Sequence, residues 1–182
     1  KHQAANAASA LVAVEAFFGD QPLDIEAVRA GFAAVTSPGR CEVVRRDPTI
    51  IIDAAHNPHG AKALAETLAN EFNFDEIIAV VGVFGDKDAT GILQELEHIV
   101  DHVIVTQSSS TRALSSGELE KIASTVFGHD RVFEVSNLDA AIDRAVSDAT
   151  RPLSEDTIGI IVTGSVVTVG EARSYLRKKF TQ

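Results

Sequence analysis

The sequence is poor in cysteine, in aromatic residues and in positive charge. Its 182 residues include one cysteine, Cys41, so an intramolecular disulfide is excluded and a reducing compartment is compatible with the composition. The formal net charge is −10 at pH 7. This balance argues against sequence-independent binding of nucleic acid, which depends on clustered Lys and Arg. A single anionic ligand is not excluded, because local hydrogen-bond donors can outweigh the overall field.

Long apolar runs are also absent. No run approaches the roughly 18–20 residues of a membrane span. The opening segment KHQAANAASA has neither the basic start nor the apolar centre of a signal peptide. We therefore expect a cytoplasmic protein that does not bind membranes. The chain has no initiator Met and starts at a predicted helix, so we expect it to be a fragment of a longer protein.

Hydrophobic residues make up 45% of the chain and charged residues 23%, which are ordinary values for a globular protein. The segment HQAANAASALVAVEAFFG carries apolar residues at helical spacing and stops at Gly19. A second predicted helix, DIEAVRAGFAAV, begins at the acidic cap Asp24. The triplet Ser37-Pro38-Gly39 is typical of a linker. The pattern changes after it, so the sequence predicts two segments, residues 1–36 and 37–182.

The second segment alternates apolar strands with amphipathic helices. CEVVRR and TIIIDAA, separated by Asp47-Pro48, predict a hairpin. Four further strands are predicted in EIIAVVGVF, HVIVTQ, RVFEV and TIGIIVTGS, and five helices at 60–72, 89–99, 116–127, 138–149 and 168–180. This alternation predicts a Rossmann-like α/β fold with a mostly parallel sheet and helices on both faces. Polar residues, including Thr163-Gly164-Ser165 after the last strand, collect where the strands end, which is where ligands of such sheets bind.

The stretch DAAHNPHG follows the first long strand. Asn57 and Pro58 are explained by a helix start, with Asn57 as N-cap. Asp53 must find donors, so it is either a ligand-binding residue or a cap of the strand end. His56 is either an exposed polar residue or a functional one on the ligand face. His59 falls in the first helical turn, and we interpret it as structural.

Two further polar loops carry candidate cations. GVFGDKDATG is neither a P-loop nor a dinucleotide fingerprint, and both patterns are absent from the chain. Its acids Asp86 and Asp88 are candidates to cap the next helix. Lys87 between them is a candidate to bind phosphate or carboxylate, or else to form an ion pair of little energetic weight.

The loop SSSTRALSSGE combines a predicted helix cap with one cation. Ser115 or Ser116, with Glu118 or Glu120, indicates capping. Arg112 lies too far ahead of that helix to serve it, so a ligand or an inter-domain contact is predicted. No group of residues has the spacing of a metal site, because His98 and His102 bracket a helix end and a strand start. We expect no metal ligands in this chain.

Five motifs of this sequence occur in the same order as in one known protein family. The run PGRCEVVRRDPTIIIDAAHNPHGAKAL is followed by DKD, TRAL and TGSVVTVGEAR, and it is preceded by the helix HQAANAASAL. This set resembles the C-terminal domain of folylpolyglutamate synthase/dihydrofolate synthase, a branch of the Mur ligase superfamily. The resemblance implies a Rossmann-like C-terminal domain at 37–182. It also implies that residues 1–36 are a helical remnant of the central ATP-binding domain, so the apolar side chains of the first helix would pack in a domain absent here.

The family resemblance also implies an activity. Such a ligase uses ATP to phosphorylate the carboxylate of a pteroate or folate, and the amino group of L-glutamate then displaces phosphate to form an amide. The expected substrates are ATP, L-glutamate and dihydropteroate or a reduced folate. Mg²⁺ is the expected metal, with its ligands in the N-terminal part of the parent enzyme. We expect that parent to be a monomer.

The same resemblance assigns roles to six residues. Asn6 in HQAANAA, Arg40 in PGR and Asp53 in DAAHNP match the family's ATP contacts outside the P-loop. Their chemistry agrees, since an amide can pair with adenine, a guanidinium with phosphate and a carboxylate with ribose hydroxyls. His56 is implied as a catalytic residue that faces the reacting phosphate or the incoming glutamate. Lys87 and Arg112 are implied, more weakly, as carboxylate or folate ligands.

Two other functions remain open at this point. The chain could belong to another Mur-type ligase that joins an amino acid to a peptidoglycan precursor, although DKD and GEAR favour the folate branch. It could also be a nucleotide-binding module without catalysis.

We predict that the 182 residues alone have no ligase activity, because they contain no P-loop to hold the phosphates and no metal ligands to neutralise charge in the transition state. The measurement is ADP release with ATP, magnesium, dihydropteroate and glutamate. ADP release coupled to product would contradict the prediction.

Overall fold

The computed structural model describes residues 2–19, 22–150 and 157–180. Contacts along the chain divide it into two units, residues 1–37 and residues 38–182. The assignment of residues 1–36 to a central ATP-binding domain stays a prediction.

The first unit consists of helices α1 (His2–Phe18) and α2 (Ile25–Ala34). Asp24 caps α2 as predicted, and its carboxylate accepts the Glu26 N–H at 2.9 Å. Four large apolar side chains of α1 are exposed: Val12, Val14, Phe17 at 83% and Phe18 at 61%. No residue of α2 is buried. Apolar surface of this kind is expected on helices that pack against another partner.

The second unit alternates strands and helices as the sequence predicts. Its elements are β1 (Glu42–Arg46), β2 (Thr49–Asp53), α3 (Pro58–Glu71), β3 (Glu76–Val81), α4 (Ala89–Glu97), β4 (His102–Gln107), α5 (Ser116–Phe127), a 3₁₀ turn (His129–Arg131), β5 (Val132–Asn137), α6 (Leu138–Ala149), β6 (Ile158–Thr163) and α7 (Val166–Phe180).

The six strands form one sheet in the order β1-β2-β6-β3-β4-β5. Only β1 is antiparallel, through the predicted hairpin with β2, and every other pair is parallel. The last strand, β6, therefore lies between β2 and β3. This arrangement confirms the predicted mostly parallel sheet, and it brings the carboxyl ends of β2, β6, β3 and β4 to one edge.

Successive residues of the strands point to opposite faces and build two separate cores. One core joins Ile51, Val81 and Val105 with side chains of α3, α4 and α5. The other joins Ile52 and Val80 with side chains of α6 and α7. Helices therefore cover both faces, and the central strands are apolar on both sides because both sides are buried.

Two helices of the second unit start earlier than predicted, each for a local reason. Helix α3 starts at Pro58 because Asn57 accepts the Gly60 N–H at 2.8 Å and caps it. Helix α7 starts at Val166, ahead of the predicted residue 168, because the buried Ser165 hydroxyl accepts the Thr168 N–H at 3.0 Å. Among the described helices, none has both the length and the apolar character needed to cross a membrane.

Substitution of Gly164, between β6 and α7, provides a test of the fold. Its φ is +109°, and a Cβ there would lie 2.6 Å from the Gly82 carbonyl oxygen, which is backbone and cannot move aside. We expect Gly164→Ala to lower the free energy of unfolding by about 1–3 kcal/mol. Gly170→Ala is the matched control, because a Cβ at that helical position meets nothing within 4 Å. The control should be neutral or stabilising by up to about 1 kcal/mol. Urea unfolding of both variants decides it, and equal stabilities would contradict the argument.

Candidate functional site

The candidate site lies at the edge where the parallel strands end. The strand register aligns Asp53, the last residue of β2, with Thr163 of β6, and aligns Thr163 with Val81 of β3. Polar loops follow these strands and β4 at the same edge. We call this the carboxyl edge. Ligands of open α/β sheets bind at such an edge, so the predicted clustering of polar loops there has the right location for a site.

Asp53 binds backbone amides on both sides. One carboxylate oxygen accepts the Cys41 N–H at 2.8 Å, and the other accepts the Ala55 N–H at 2.8 Å. The neighbouring Ala54 N–H donates to the Gly39 carbonyl at 2.8 Å. These bonds support the strand-end cap that the sequence left open for Asp53. They also give it a second role, because they hold the loop around Arg40 against the end of β2.

Arg40 is presented to solvent by this loop. Its side chain is exposed, and within the described residues the guanidinium has no hydrogen bond or ion pair. The residues on either side have left-handed backbone, with φ of +70° at Gly39 and +45° at Cys41. A Cβ at Gly39 would lie only 2.8 Å from Val169 Cγ1 of α7, so glycine allows the loop to pack directly on that helix. Five donors on a held loop suit an anionic ligand.

Cys41 is a protected thiol. Burial, the nearby negative charge of Asp53 and that of Glu71 raise its pKa from the ordinary 9.0 to about 11. The thiol is therefore protonated near neutral pH, and it is unsuited to act as a nucleophile.

His56 is oriented by the backbone. Its Nδ1 donates to the Ala54 carbonyl oxygen at 2.9 Å, since a carbonyl can only accept. Nε2 then carries the lone pair of the neutral ring and is the nitrogen left for other chemistry. The side chain is half-buried, between the extremes of a core residue and a fully exposed one. His59 is exposed in the first turn of α3, where the sequence placed it.

Lys87 and Arg112, predicted as separate candidates, share one acid. Arg112 Nη2 contacts both oxygens of Asp86, at 3.0 and 2.9 Å, and Lys87 Nζ lies 3.3 Å from the same carboxylate. Desolvation raises the pKa of Asp86, but hydrogen bonds from Lys87 and Arg112 outweigh it and lower the pKa overall. The Arg112 guanidinium also stacks 4.9 Å from the ring of Phe84. Asp86 is therefore an ion-pair partner rather than the predicted cap, and Asp88 alone caps α4, by accepting the Gly91 N–H at 2.8 Å.

The hydroxyls after β6 point inward. Ser165 and Thr168 are buried and lie 2.8 Å apart through their oxygens, and Thr168 also donates to the Gly82 carbonyl at 2.9 Å. The sequence analysis placed Thr163-Gly164-Ser165 among the polar residues at the strand ends. In the structure Ser165 and Thr168 join α7 to the end of β3, whereas the buried Thr163 hydroxyl has no hydrogen-bond partner among the described residues.

Two contacts of α7, an ion pair and a set of hydrogen bonds to a carboxylate, were not predicted from the sequence. Arg173 Nε donates to both oxygens of Glu42, at 3.0 and 2.9 Å, and Glu42 also accepts the Gly39 N–H at 2.8 Å. Glu171 accepts from the backbone N–H and the hydroxyl of Ser109 in the loop after β4. Arg173 and Glu171 both belong to the GEAR element, which the sequence analysis considered only as evidence of the family resemblance.

The six predicted site residues fall into three groups. Arg40, Asp53 and His56 lie together on the loop and strand end of β2. Lys87 and Arg112 form the cluster around Asp86. Asn6 lies on α1 in the first unit, where it is exposed. The described residues include no group of three His, Cys, Asp or Glu side chains that could hold a metal ion.

Comparison with known proteins identifies a family. Residues 39–166 match the family described as Mur ligase, glutamate ligase domain. The chain is 51% identical, over 96% of its length, to the dihydrofolate synthase/folylpolyglutamate synthase of Mycobacterium tuberculosis, and it covers 38% of that protein. It is 32% identical, over 90% of its length, to the Escherichia coli protein of the same name and covers 36% of it. The chain thus spans little more than a third of these relatives.

Solved structures give the same result. The M. tuberculosis folylpolyglutamate synthase complexed with ADP and AMPPCP superposes with a TM-score of 0.89 at 54% identity, over 97% of this chain and 40% of that one. E. coli FolC in complex with DHPP and ADP superposes with a TM-score of 0.80 at 27% identity, over 96% of this chain and 39% of that one. A Yersinia pestis folylpolyglutamate synthase/dihydrofolate synthase with AMPPNP and Mn has a TM-score of 0.72 at 32% identity, over 87% of this chain and 36% of that one.

The raised pKa of Cys41 can be measured directly, because it is the only thiol of the chain. With a pKa of about 11 in place of 9.0, the folded protein should hold roughly a hundredfold less thiolate at about pH 8 than the unfolded chain. Alkylation by iodoacetamide should be slower by a similar factor, and the same reaction in concentrated urea is the control. This protonation stabilises the fold below the unfolded pKa, and that stabilisation is lost as the pH rises through 11. Equal alkylation rates in the two states would contradict the assignment.

Proposed function

The chain belongs to the Mur ligase family, whose glutamate ligase domain it matches, and from this we propose its function. It forms the C-terminal part of an ATP-dependent ligase that adds L-glutamate to the carboxylate of a pteroate or folate. The observation that carries the proposal is the 51% identity, over 96% of this chain, with a dihydrofolate synthase/folylpolyglutamate synthase. Solved relatives that hold ADP with DHPP, or AMPPNP with Mn, support nucleotide, folate-type ligand and divalent metal as the ligands of the whole protein.

The reaction has two steps with balanced atoms. A carboxylate oxygen of the pteroate or folate forms a bond to the γ-phosphorus of ATP, and ADP leaves. The amino nitrogen of glutamate then forms a bond to the acyl carbon, phosphate leaves with the carbon–oxygen bond electrons, and the nitrogen loses a proton. Both steps concentrate negative charge near phosphate, so catalysis depends on positioned donors.

We propose Arg40 as the residue of the second unit that binds the nucleotide phosphates. Its guanidinium is exposed and uncommitted within the described residues, and its backbone is held by Asp53 and Gly39. In the proposed reaction it donates to phosphate oxygens, while Asp53 accepts from ribose hydroxyls and fixes the loop. Asn6 would pair with the adenine edge from the first unit.

His56 supplies a group that can exchange a proton. Because Nδ1 donates to the Ala54 carbonyl, Nε2 is available to take a proton from the glutamate ammonium before the free amine attacks or, once protonated, to donate to phosphate. We propose that it faces the reacting phosphate or the incoming glutamate.

The cluster of Lys87, Arg112 and Asp86 carries two positive charges and one negative charge, which leaves a net charge of +1. We propose that this cluster binds a carboxylate of glutamate or of the folate. Asp86 would hold the two cations in place while their remaining donors face the ligand.

Mg²⁺ would neutralise charge on the phosphates and polarise them. The described residues contain no cluster of three metal-ligating side chains, so we assign no Mg²⁺ ligand to them. We further propose that the full-length enzyme acts as a monomer in the cytoplasm. The single cysteine of this chain is compatible with a reducing compartment.

We predict that Arg40→Ala, in the full-length protein that carries this chain, raises KM for ATP by about ten- to hundredfold, because a charge-assisted bond to phosphate is lost. Arg46→Ala is the control, since Arg46 is also exposed but lies on β1 opposite Thr49, at the other end of the strands. Steady-state kinetics with dihydropteroate, and separately with reduced folates, give both KM and substrate preference.

Three results would contradict the proposal in different ways. Equal KM for ATP in the Arg40 variant, the Arg46 variant and the wild type would remove the role of Arg40. Activity with a peptidoglycan precursor in place of folates would indicate another Mur-type ligase. ATP binding without turnover of any carboxylate would indicate a module without catalysis.

A further inference from the structure

Helix α7 contacts two loops of the carboxyl edge through residues that are two positions apart. On an α-helix, residues i and i+2 point about 200° apart, so Glu171 and Arg173 project to opposite sides. Arg173 reaches Glu42 beside the Arg40 loop, and Glu171 reaches Ser109 in the loop that carries Arg112. One turn of one helix is thus linked to the Arg40 loop through Glu42 and to the Arg112 loop through Ser109.

The Arg173 contact holds the Arg40 loop at a point that Asp53 does not. The two side chains of the ion pair are about three-quarters buried, with exposures of 25% for Arg173 and 24% for Glu42. Glu42 accepts the N–H of the buried Gly39 at 2.8 Å. Asp53 holds the N–H of Cys41 on the far side of Arg40. The backbone of Arg40 is therefore held from both neighbours by two carboxylates, and Arg173 fixes one of them.

The Glu171 contact holds the second loop. Its two oxygens lie 3.3 and 3.2 Å from the Ser109 nitrogen, and one also accepts the Ser109 hydroxyl. Three residues later in the same loop, Arg112 joins the cluster around Asp86. Ser110 adds a local bond, since its hydroxyl accepts the Arg112 N–H at 3.2 Å. The start of the loop is thus tied to α7 and its end to Asp86.

We propose that Arg173 and Glu171 are positioning residues with separate duties in the ligase reaction. Arg173, through Glu42, sets the Arg40 loop for the nucleotide. Glu171, through Ser109, sets the cluster of Lys87 and Arg112 for the carboxylate substrate. This inference rests on the proposed function and adds to it a division of labour within one helix.

The experiment compares KM values in the full-length protein. Arg173→Gln should raise KM for ATP by about three- to tenfold and leave KM for glutamate and folate unchanged, because the Arg40 loop loses one restraint. Glu171→Ala should raise KM for glutamate or folate by a similar factor and leave KM for ATP unchanged. The conservative variants Arg173→Lys and Glu171→Gln keep a charged donor and an acceptor, so each should recover most of the loss.

The matched control is Arg144→Gln. It removes another Arg–carboxylate pair, Arg144 Nε to Asp148 at 2.7 Å, from helix α6 without touching either loop. It should change neither KM. If both KM values rise together in the Arg173 and Glu171 variants, or if only the melting temperature falls, the division of duties is wrong.

The proposed function and this inference fail in distinguishable ways. Lack of ligase activity in the wild-type protein would contradict the function. In that case the hydrogen-exchange rates of the Gly39 and Ser109 amides still test whether Arg173 and Glu171 restrain the two loops. Faster exchange only at Gly39 in Arg173→Gln, and only at Ser109 in Glu171→Ala, supports separate restraints. Unchanged exchange at both amides would overturn them.

Discussion

Two backbone amides converge on the Asp53 carboxylate, and the geometry of the carboxyl edge depends on that convergence. The acid closes the end of β2 through Ala55 and fixes the preceding loop through Cys41. Without a charge-assisted acceptor at this point, two donors near the end of a buried strand would lack a partner, which is costly in a poorly hydrated setting. The same bonds determine where Arg40 stands. The Asp53 side chain thus both satisfies the backbone donors at the end of the strand and positions Arg40, the candidate phosphate-binding residue.

The central position of β6 explains how distant segments meet at this edge. Because β6 pairs with both β2 and β3, the helix that follows it starts between the loops of those strands. Buried hydroxyls of Ser165 and Thr168 then fix the first turn of α7 against the Gly82 carbonyl. From that fixed start, Arg173 and Glu171 reach loops on either side. The site is therefore organised by the last helix of the chain as much as by the loops that carry its candidate ligands.

Much of the fold could be predicted from the sequence, because apolar strands buried on both faces and capped helices leave strong local signals. The Asp24 and Asn57 caps and the β1–β2 hairpin were all predicted correctly. The strand order could not be predicted, since the insertion of β6 between β2 and β3 depends on long-range pairing. Motif order also pointed to the family.

The side-chain partners at the edge were harder to predict. Sequence spacing located Lys87 and Arg112 on polar loops and allowed an ion pair for Lys87, but it gave no sign that Arg112 pairs with Asp86, 26 residues away. Glu42 and Arg173 are separated by 131 residues, so no local pattern links them. Thr163 and Ser165 lie at the end of β6 as predicted, but both are buried. Sequence alone does not show burial there, because the short hydroxyl of Ser165 can cap a helix or bind an external ligand with equal ease.

The place of β6 in the sheet has a consequence for biosynthesis. When the ribosome has made the chain only as far as α6, the hairpin of β1 and β2 and the trio of β3, β4 and β5 have no strand between them. Each then offers an open apolar edge to any other nascent chain. Only the emergence of residues 158–163 can close both edges at once, so the sheet is completed in a single late event.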